Sequence, residues 1–193
     1  KRAVSRLENY LDRIEGYTKG TVVLATVFGD VHDIGKSLVN TILTNNGYTV
    51  VDLGKQVPVQ TIIEAAKEHD ATAIGLSALL VSTSKQMPLC IQELHQQGLG
   101  YPVLIGGAAI NRAFSLRTLY PLGKDDDTQY DAGVFYCKDA FEGLSVMDQL
   151  VEGDARAAIV AKVKGDAQTL REKGPEPEEL PTDDDSVRSA ART

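Results

Sequence analysis

The sequence places a histidine between two acids, in Asp30-Val31-His32-Asp33, directly after an apolar segment and before a predicted helix. Imidazole is a common metal ligand, and a carboxylate that accepts its second ring N–H fixes the tautomer and raises its basicity. Asp30 is positioned to be that acceptor. The alternative is a histidine that only completes a turn through an ordinary hydrogen bond. The chemistry that this spacing offers is metal ligation by His32 with support from Asp30.

The sequence offers His32 no obvious partner for a bare metal site. His69 and His95 fall in predicted helices, and Cys90 and Cys137 show neither a CxxC motif nor a zinc-type spacing. A metal held by His32 must therefore bring most of its own ligands, which indicates a macrocycle. We interpret both cysteines as buried or half-buried side chains of a reduced protein.

Composition and charge exclude several classes of protein. The 193 residues are 42% hydrophobic, which suits one domain with extensions, and the formal net charge is −7. A net negative charge without a basic stripe argues against nucleic-acid binding. No apolar run approaches the roughly 20 residues that cross a bilayer, and the N-terminus does not resemble a signal peptide. We expect a cytoplasmic protein that binds neither nucleic acid nor membrane.

Apolar strands alternate with amphipathic helices through the middle of the chain. The predicted strands are 21–28, 49–53, 71–76, 102–105 and 131–136, and the predicted helices are 36–45, 59–69, 84–97, 111–119 and 140–151. This alternation is typical of βαβ units and of a parallel sheet covered on both faces. The sequence therefore predicts an α/β domain with a doubly wound, five-stranded parallel sheet that binds its ligand at the carboxyl ends of the strands.

The two ends of the chain differ from this central pattern. Apolar residues at helical spacing in residues 1–19 predict a helix, which we interpret as the last helix of an upstream cap because the pattern begins abruptly and without Met. Residues 20–152 form the predicted α/β domain. Residues 153–172 predict a solvated helical extension, and the acidic, Pro-containing residues 173–193 predict a linker to a following domain.

The segment Asp30-Val31-His32-Asp33-Ile34-Gly35 matches the D-x-H-x-x-G signature of cobalamin-binding domains. Residues 21–30, 45–48, 75–80 and 103–108 also resemble methionine synthases and their corrinoid-protein relatives, in the same order along the chain. The resemblance covers about residues 1–150 and includes four strand ends. It implies a Rossmann-like (flavodoxin-like) B12-binding fold that carries cobalamin, in the form of methylcobalamin in the working cycle.

The resemblance also implies a role for each matching residue of the histidine loop. His32 would be the lower axial ligand of cobalt, in place of the dimethylbenzimidazole of the cofactor, and Asp30 would accept its N–H. Thr83 would complete a His–Asp–hydroxyl relay, with Ser82 and Ser84 as open alternatives. Without the resemblance, the hydroxyls of residues 77 and 82–84 also fit capping of the third helix.

The remaining matching residues would surround the nucleotide tail of cobalamin. Ser77 would line its pocket, Gly106-Gly107 would let it approach the backbone, and Ala140 would lie near the lower nucleotide. Read alone, Gly106-Gly107 favours an ordinary strand-to-helix turn. The full set of expected cofactor-binding residues is Gly29, Asp30, Val31, His32, Asp33, Ile34, Gly35, Ser77, Leu79, Val81, Ser82, Thr83, Gly106, Gly107, Ala108, Tyr136 and Ala140.

The function implied is that of the cofactor-carrying module of a methionine synthase. Such a module carries a methyl group on cobalt from methyltetrahydrofolate to homocysteine, which other domains of the parent chain hold, and a reactivation domain would follow the linker. The first alternative is a stand-alone corrinoid protein of a methanol, methylamine or O-demethylase system. The others are a B12-dependent sensor and a mutase, although a mutase would need a substrate barrel that this sequence lacks.

Overall fold

The computed structural model describes residues 18–123 and 125–173, so the expected upstream helix and nearly all of the expected linker lie outside the described residues. Within this part, strands and helices alternate as the sequence predicts. The elements are β1 (Thr21–Thr26), α1 (Ile34–Asn45), β2 (Thr49–Asp52), α2 (Val59–Glu68), β3 (Ala73–Ser77), α3 (Val81–Ser84), α4 (Gln86–Gln96), β4 (Val103–Gly106), α5 (Arg112–Thr118), β5 (Val134–Tyr136), α6 (Ala140–Val151) and α7 (Gly153–Lys173).

The sheet has the strand order β2-β1-β3-β4-β5, and every pairing is parallel. Leu24 of β1 lies between Asp52 of β2 and Gly75 of β3, which sets the register at the centre of the sheet. The chain passes from β1 to β2 on one side of β1 and then crosses to β3 on the other side. The carboxyl ends of β1 and β3 therefore form the topological switch point, where such sheets bind ligands. The predicted α/β class and five-stranded parallel sheet are confirmed.

Alternation along the strands divides the core between two faces of the sheet. On one side, which we call the packed face, Val23, Ile74 and Ile105 pack against apolar residues of α2 and α4. On the other side, which we call the slot face, Leu24 and Leu104 belong to a second cluster that includes residues of α1 and α6. Because adjacent residues of a strand point to opposite faces, the two clusters share strands but no strand side chain, and Val163 of α7 packs against both.

Among the predicted boundaries that differ from the structure, three have a clear local reason. Strand β1 ends at Thr26 instead of residue 28, since the Asp30 N–H donates to Val27 O and turns the chain. The single predicted helix 84–97 is two helices, α3 and α4, that meet at Lys85. Strand β5 begins only at Val134, because Gly133 has a positive φ of 87° that is incompatible with a strand.

Helix α7 packs on the domain, whereas the sequence predicted a solvated helix over residues 153–172. Ala167 is 1% exposed, and Val163 and Leu170 pack against the packed-face cluster. Lys164 Nζ lies 2.7 Å from Asp131 Oδ1. The hydrophobic periodicity of this helix is weak in the sequence because α7 buries only a narrow stripe of its surface. Within the described residues, every helix is too short or too polar to serve as a membrane span.

Candidate functional site

The loop after β1 presents His32 beside a fully buried carboxylate. Asp30 has no exposed side-chain area, whereas the His32 side chain is 46% exposed. His32 Nδ1 lies 2.8 Å from Asp30 Oδ1, and the His32 backbone N–H donates to the same oxygen at 3.0 Å. Because an ionised carboxylate can only accept, Nδ1 carries the proton, which leaves the lone pair of Nε2 available to a ligand.

The second oxygen of Asp30 receives donors from the loop after β3. Asp30 Oδ2 accepts from Thr83 Oγ1 at 2.7 Å, from Leu79 N at 2.8 Å and from Leu80 N at 3.3 Å. Burial alone would raise the pKa of Asp30, but hydrogen bonds from the His32 backbone, Thr83, Leu79 and the His32 ring outweigh it and hold this pKa far below its usual value. Asp30 is therefore a fixed anion that joins two loops.

Of the three hydroxyls after β3, Thr83 is the one that contacts Asp30. Thr83 is 8% exposed, while Ser84 Oγ donates to Val81 O of its own helix at 2.8 Å and Ser82 is exposed. The expectation that one of these hydroxyls caps the third helix is wrong, since neither α3 nor α4 has a side-chain cap. Asp30 instead satisfies the two N–H groups that precede α3, from the loop after β1, about 50 residues away in sequence.

Next to these loops, the slot face contains a cavity of about 470 Å³. Its volume falls in the range of about 300–1,000 Å³ that is typical of small-molecule sites. Leu24 and Leu104 of the sheet form apolar surface there, Leu38 and Leu43 of α1 line one side, and Gly143 of α6 lines the other. We call this cavity the slot.

Seven of the residues expected from the sequence line the slot: Gly35, Ser77, Gly106, Gly107, Ala108, Tyr136 and Ala140. Gly107 has a φ of 119°, and a Cβ there would overlap the carbonyl oxygen of Ala78. A Cβ on Gly106 would lie 2.7 Å from the carbonyl oxygen of Cys137. Glycine is therefore required at this turn by backbone packing as well as by any ligand that approaches it.

The other expected residues belong to the two segments that Asp30 joins, which are the histidine loop with the first residue of α1 and the loop after β3 with the start of α3. Gly29 and Asp33 lie in the histidine loop, where Gly29 has a positive φ of 82°. Around His32 these loops expose large apolar side chains, namely Phe28, Val31, Ile34, Leu79, Leu80 and Val81. Such a cluster of exposed apolar groups marks a surface that a ligand or partner covers. We call it the apolar rim.

Sequence reasoning missed Gly75, which lines the slot from the middle of β3. A Cβ at this position would collide with the Leu24 side chain. A glycine inside a predicted strand is a recognisable signal for close approach of a ligand or another group.

Sequence reasoning also missed the buried ion pair of Lys36 with Asp52. Lys36 is 4% exposed, lines the slot and contacts Asp52 Oδ1 through Nζ. Burial would raise the pKa of Asp52, but hydrogen bonds from Lys36, Gly54 N and Asn40 lower it overall. The available signal was a lysine inside the apolar pattern of α1.

Comparison with known proteins assigns this chain to a family. Residues 20–145 match the B12 binding domain family. The chain is 43% identical to methionine synthase of Mycobacterium tuberculosis over 154 residues, which are 78% of this chain and 12% of that protein. It is 40% identical to methionine synthase of Mycobacterium leprae over 166 residues, which are 82% of this chain and 13% of that protein. The chain thus spans about an eighth of the length of these relatives.

Solved structures give the same result. A cobalamin-binding protein from Desulfitobacterium hafniense superposes with a TM-score of 0.60 at 28% identity, over 77% of this chain and 67% of that chain. The methanol:cobalamin methyltransferase complex MtaBC of Methanosarcina barkeri gives a TM-score of 0.56 at 29% identity, over 87% of this chain and 56% of that chain. This chain therefore belongs to the B12 binding domain family, and its cofactor is cobalamin.

Proposed function

We propose that this chain is the cobalamin-carrying module of a methionine-synthase-like methyltransferase, which moves a methyl group from methyltetrahydrofolate to homocysteine. The observation that carries the proposal is the 43% identity to M. tuberculosis methionine synthase over 78% of the chain. The two substrates would be held by other domains of the same parent chain.

The residues present fit cobalamin in three respects. The apolar rim around His32 suits the lower face of a corrin ring. His32 offers Nε2, because Asp30 occupies Nδ1. The slot, with Ser77 and Gly106-Gly107 in its lining, suits the nucleotide tail that His32 would displace from cobalt.

When bound, cobalamin would supply a cobalt ion that can accept and release a methyl group. His32 would hold the cobalt through Nε2, in the His-on form. Asp30 keeps the ring oriented and favours donation from Nε2, and Thr83 fixes the carboxylate in turn.

The same proposal includes the division of the chain. Residues 1–19 would be the last helix of a cap over the cofactor, and residues 20–152 the cobalamin-binding domain. Residues 153–172 would form a helical extension, and residues 173–193 a linker to a reactivation domain.

A second candidate function is that of a stand-alone corrinoid protein of a methyltransferase system. It is favoured by the likeness to MtaBC and by a TM-score of 0.54 with the monomethylamine corrinoid protein of M. barkeri, at 25% identity over 75% of this chain and 63% of that chain. To separate the two, the chain is loaded with methylcobalamin. It is then mixed with homocysteine and the substrate-binding part of M. tuberculosis methionine synthase, and loss of the methyl group to the homocysteine sulfur is followed by absorbance. In a second mixture, the chain loaded with Co(I) cobalamin meets methanol and the methyltransferase subunit of the methanol system, and methylation of the cobalt is followed in the same way. Transfer only in the second mixture would favour the alternative.

The role of His32 is tested by His32→Gly. We expect the variant to retain corrinoid through the slot and the rim, but with an absorbance spectrum shifted away from the His-on form. His69→Gly is the matched control, because His69 is exposed at the end of α2, where glycine is well tolerated. An unchanged spectrum in His32→Gly would contradict ligation by His32.

A further inference from the structure

Lys36 is a buried charged side chain in the wall of the slot. It lies in the first turn of α1, four positions after His32, and is only 4% exposed. Lysine is almost never buried to this extent unless it is paired. The buried ammonium group of Lys36 therefore requires a polar or charged partner.

The partner is Asp52, the last residue of β2. Lys36 Nζ contacts Asp52 Oδ1, and Asp52 also accepts from Gly54 N at 2.8 Å and from Asn40 Nδ2 at 3.2 Å. Lys36 and Asn40 are one helical turn apart, so both hold the same side of α1 to the end of β2. The position of α1, which lines one side of the slot, depends on this carboxylate.

The segment after Asp52 also contacts the histidine loop. Gly54 O accepts from Thr26 N at 3.0 Å, and Gln56 N donates to Asp30 O at 3.2 Å. The end of β2 and the segment after it therefore contact both the slot wall, through Lys36, and the loop that carries His32, through Gln56.

We propose that Lys36 is a positioning residue for the nucleotide tail: its aliphatic stem forms part of the slot wall, and its ion pair with Asp52 holds that wall in place. The inference rests on the cobalamin-binding function and adds the residue that gives preference for a corrinoid with a tail. Because the ammonium group is already paired, Lys36 contributes shape to the slot in place of a free charge.

The test is the variant Lys36→Met in the full chain. Met keeps an unbranched stem of similar length and removes the tether. Asp52 is 26% exposed and retains Gly54 N and Asn40, so the variant leaves no buried unpaired charge. Affinity is measured by absorbance titration with cobalamin and with cobinamide, a corrinoid that lacks the nucleotide tail. Thermal unfolding of the ligand-free variant checks that it folds.

We expect cobalamin affinity to fall by about tenfold, the scale of one charge-assisted hydrogen bond, while cobinamide affinity changes by less than about twofold. Lys67→Met is the matched control, since Lys67 is exposed and bonded to Gln97 on the far side of the domain from the slot lining, and it should leave both affinities unchanged.

Equal loss of both corrinoids, or no loss of cobalamin, would overturn the role of Lys36. If the unsubstituted chain binds neither corrinoid, the cobalamin-binding function itself fails, which is a distinguishable result. Should Lys36→Met not fold, Lys36→Gln is titrated in the same way. Because Gln is one atom shorter than Lys and uncharged, cobalamin affinity should fall while cobinamide affinity changes by less than about twofold, and equal loss of both would overturn the role of Lys36.

Discussion

The two faces of the sheet are built from the same strands, yet one is filled with side chains and the other has a slot at its carboxyl end. On the packed face, β3 presents Ile74 and Leu76. On the slot face, the alternate positions of the same strand are Ala73, Gly75 and Ser77. A run of small residues at every second position thus removes side-chain volume from one face only.

The comparison shows that a ligand site can form where small residues on one face of a strand leave space unfilled. Protein interiors are packed about as densely as organic crystals, so neighbouring side chains relax only partly into space left by a small residue. Here α1 and α6 stand on either side of that space, and a slot of about 470 Å³ results. The packed face mainly stabilises the fold, and the slot face also selects a ligand.

The largest expected effect comes from filling the slot. Gly75→Val places a branched side chain against Leu24, and both residues line the slot. We expect cobalamin affinity to fall on the order of 100-fold, because overpacking costs about 1–3 kcal/mol. The measurement is an absorbance titration with cobalamin.

The neighbouring residue on the packed face is the control. Ile74→Val should lower the free energy of unfolding by about 0.5–1.5 kcal/mol and leave cobalamin affinity unchanged. If the two variants affect binding alike, the functional difference between the faces does not hold.

A smaller effect is expected in the segment between β3 and α4, which contacts Asp30. Thr83→Val keeps the shape of the side chain and removes the donor to Asp30 Oδ2. Loss of a hydrogen bond to a charged group should lower the free energy of unfolding by about 1.5–3 kcal/mol. The fraction of bound corrinoid in the His-on form should also fall, as measured by absorbance.

Two variants show whether Asp30 is the relevant partner. Thr83→Ser should keep most of the free energy of unfolding and most of the His-on fraction, because serine also carries a hydroxyl. Ser84→Ala should leave the spectrum unchanged, since Ser84 donates within its own helix. A spectral change in Ser84→Ala that equals the change in Thr83→Val would count against the contact with Asp30.

The smallest effect concerns the two cysteines, one on each face. Burial raises the pKa of Cys90, on the packed face, to about 12, and Glu93 adds to this shift. Burial, with Glu142 and Asp139, likewise raises the pKa of Cys137, beside the slot, to about 12. Both thiols should therefore react slowly with iodoacetamide at about pH 8, because the thiolate is the reactive form.

Cobalamin should slow the labelling of Cys137 further, by a few-fold, and leave Cys90 unchanged. Timed labelling followed by mass spectrometry measures both rates in one sample. Equal protection of the two cysteines would indicate a general tightening of the fold and would contradict a ligand on the slot face.

Local patterns were sufficient for the order of strands and helices, for the class of the sheet and for the loop that presents His32. They failed at Lys85, where one apolar pattern spans two helices, and at Gly133, where a glycine ends the extended conformation that the flanking residues favour. Periodicity records which residues are buried and does not record where the backbone turns.

By itself the sequence determined the alternating α/β architecture, the D-x-H-x-x-G loop and the family, because these depend on residue types at short, regular spacing. Only the tertiary structure decided that Thr83 contacts Asp30, that Asp52 pairs with Lys36 and that Gly75 faces the slot. Residues 30 and 83 are far apart in the chain, and they meet because β3 pairs directly with β1. Strand order, a property of the whole sheet, therefore selects which polar groups meet at its carboxyl edge.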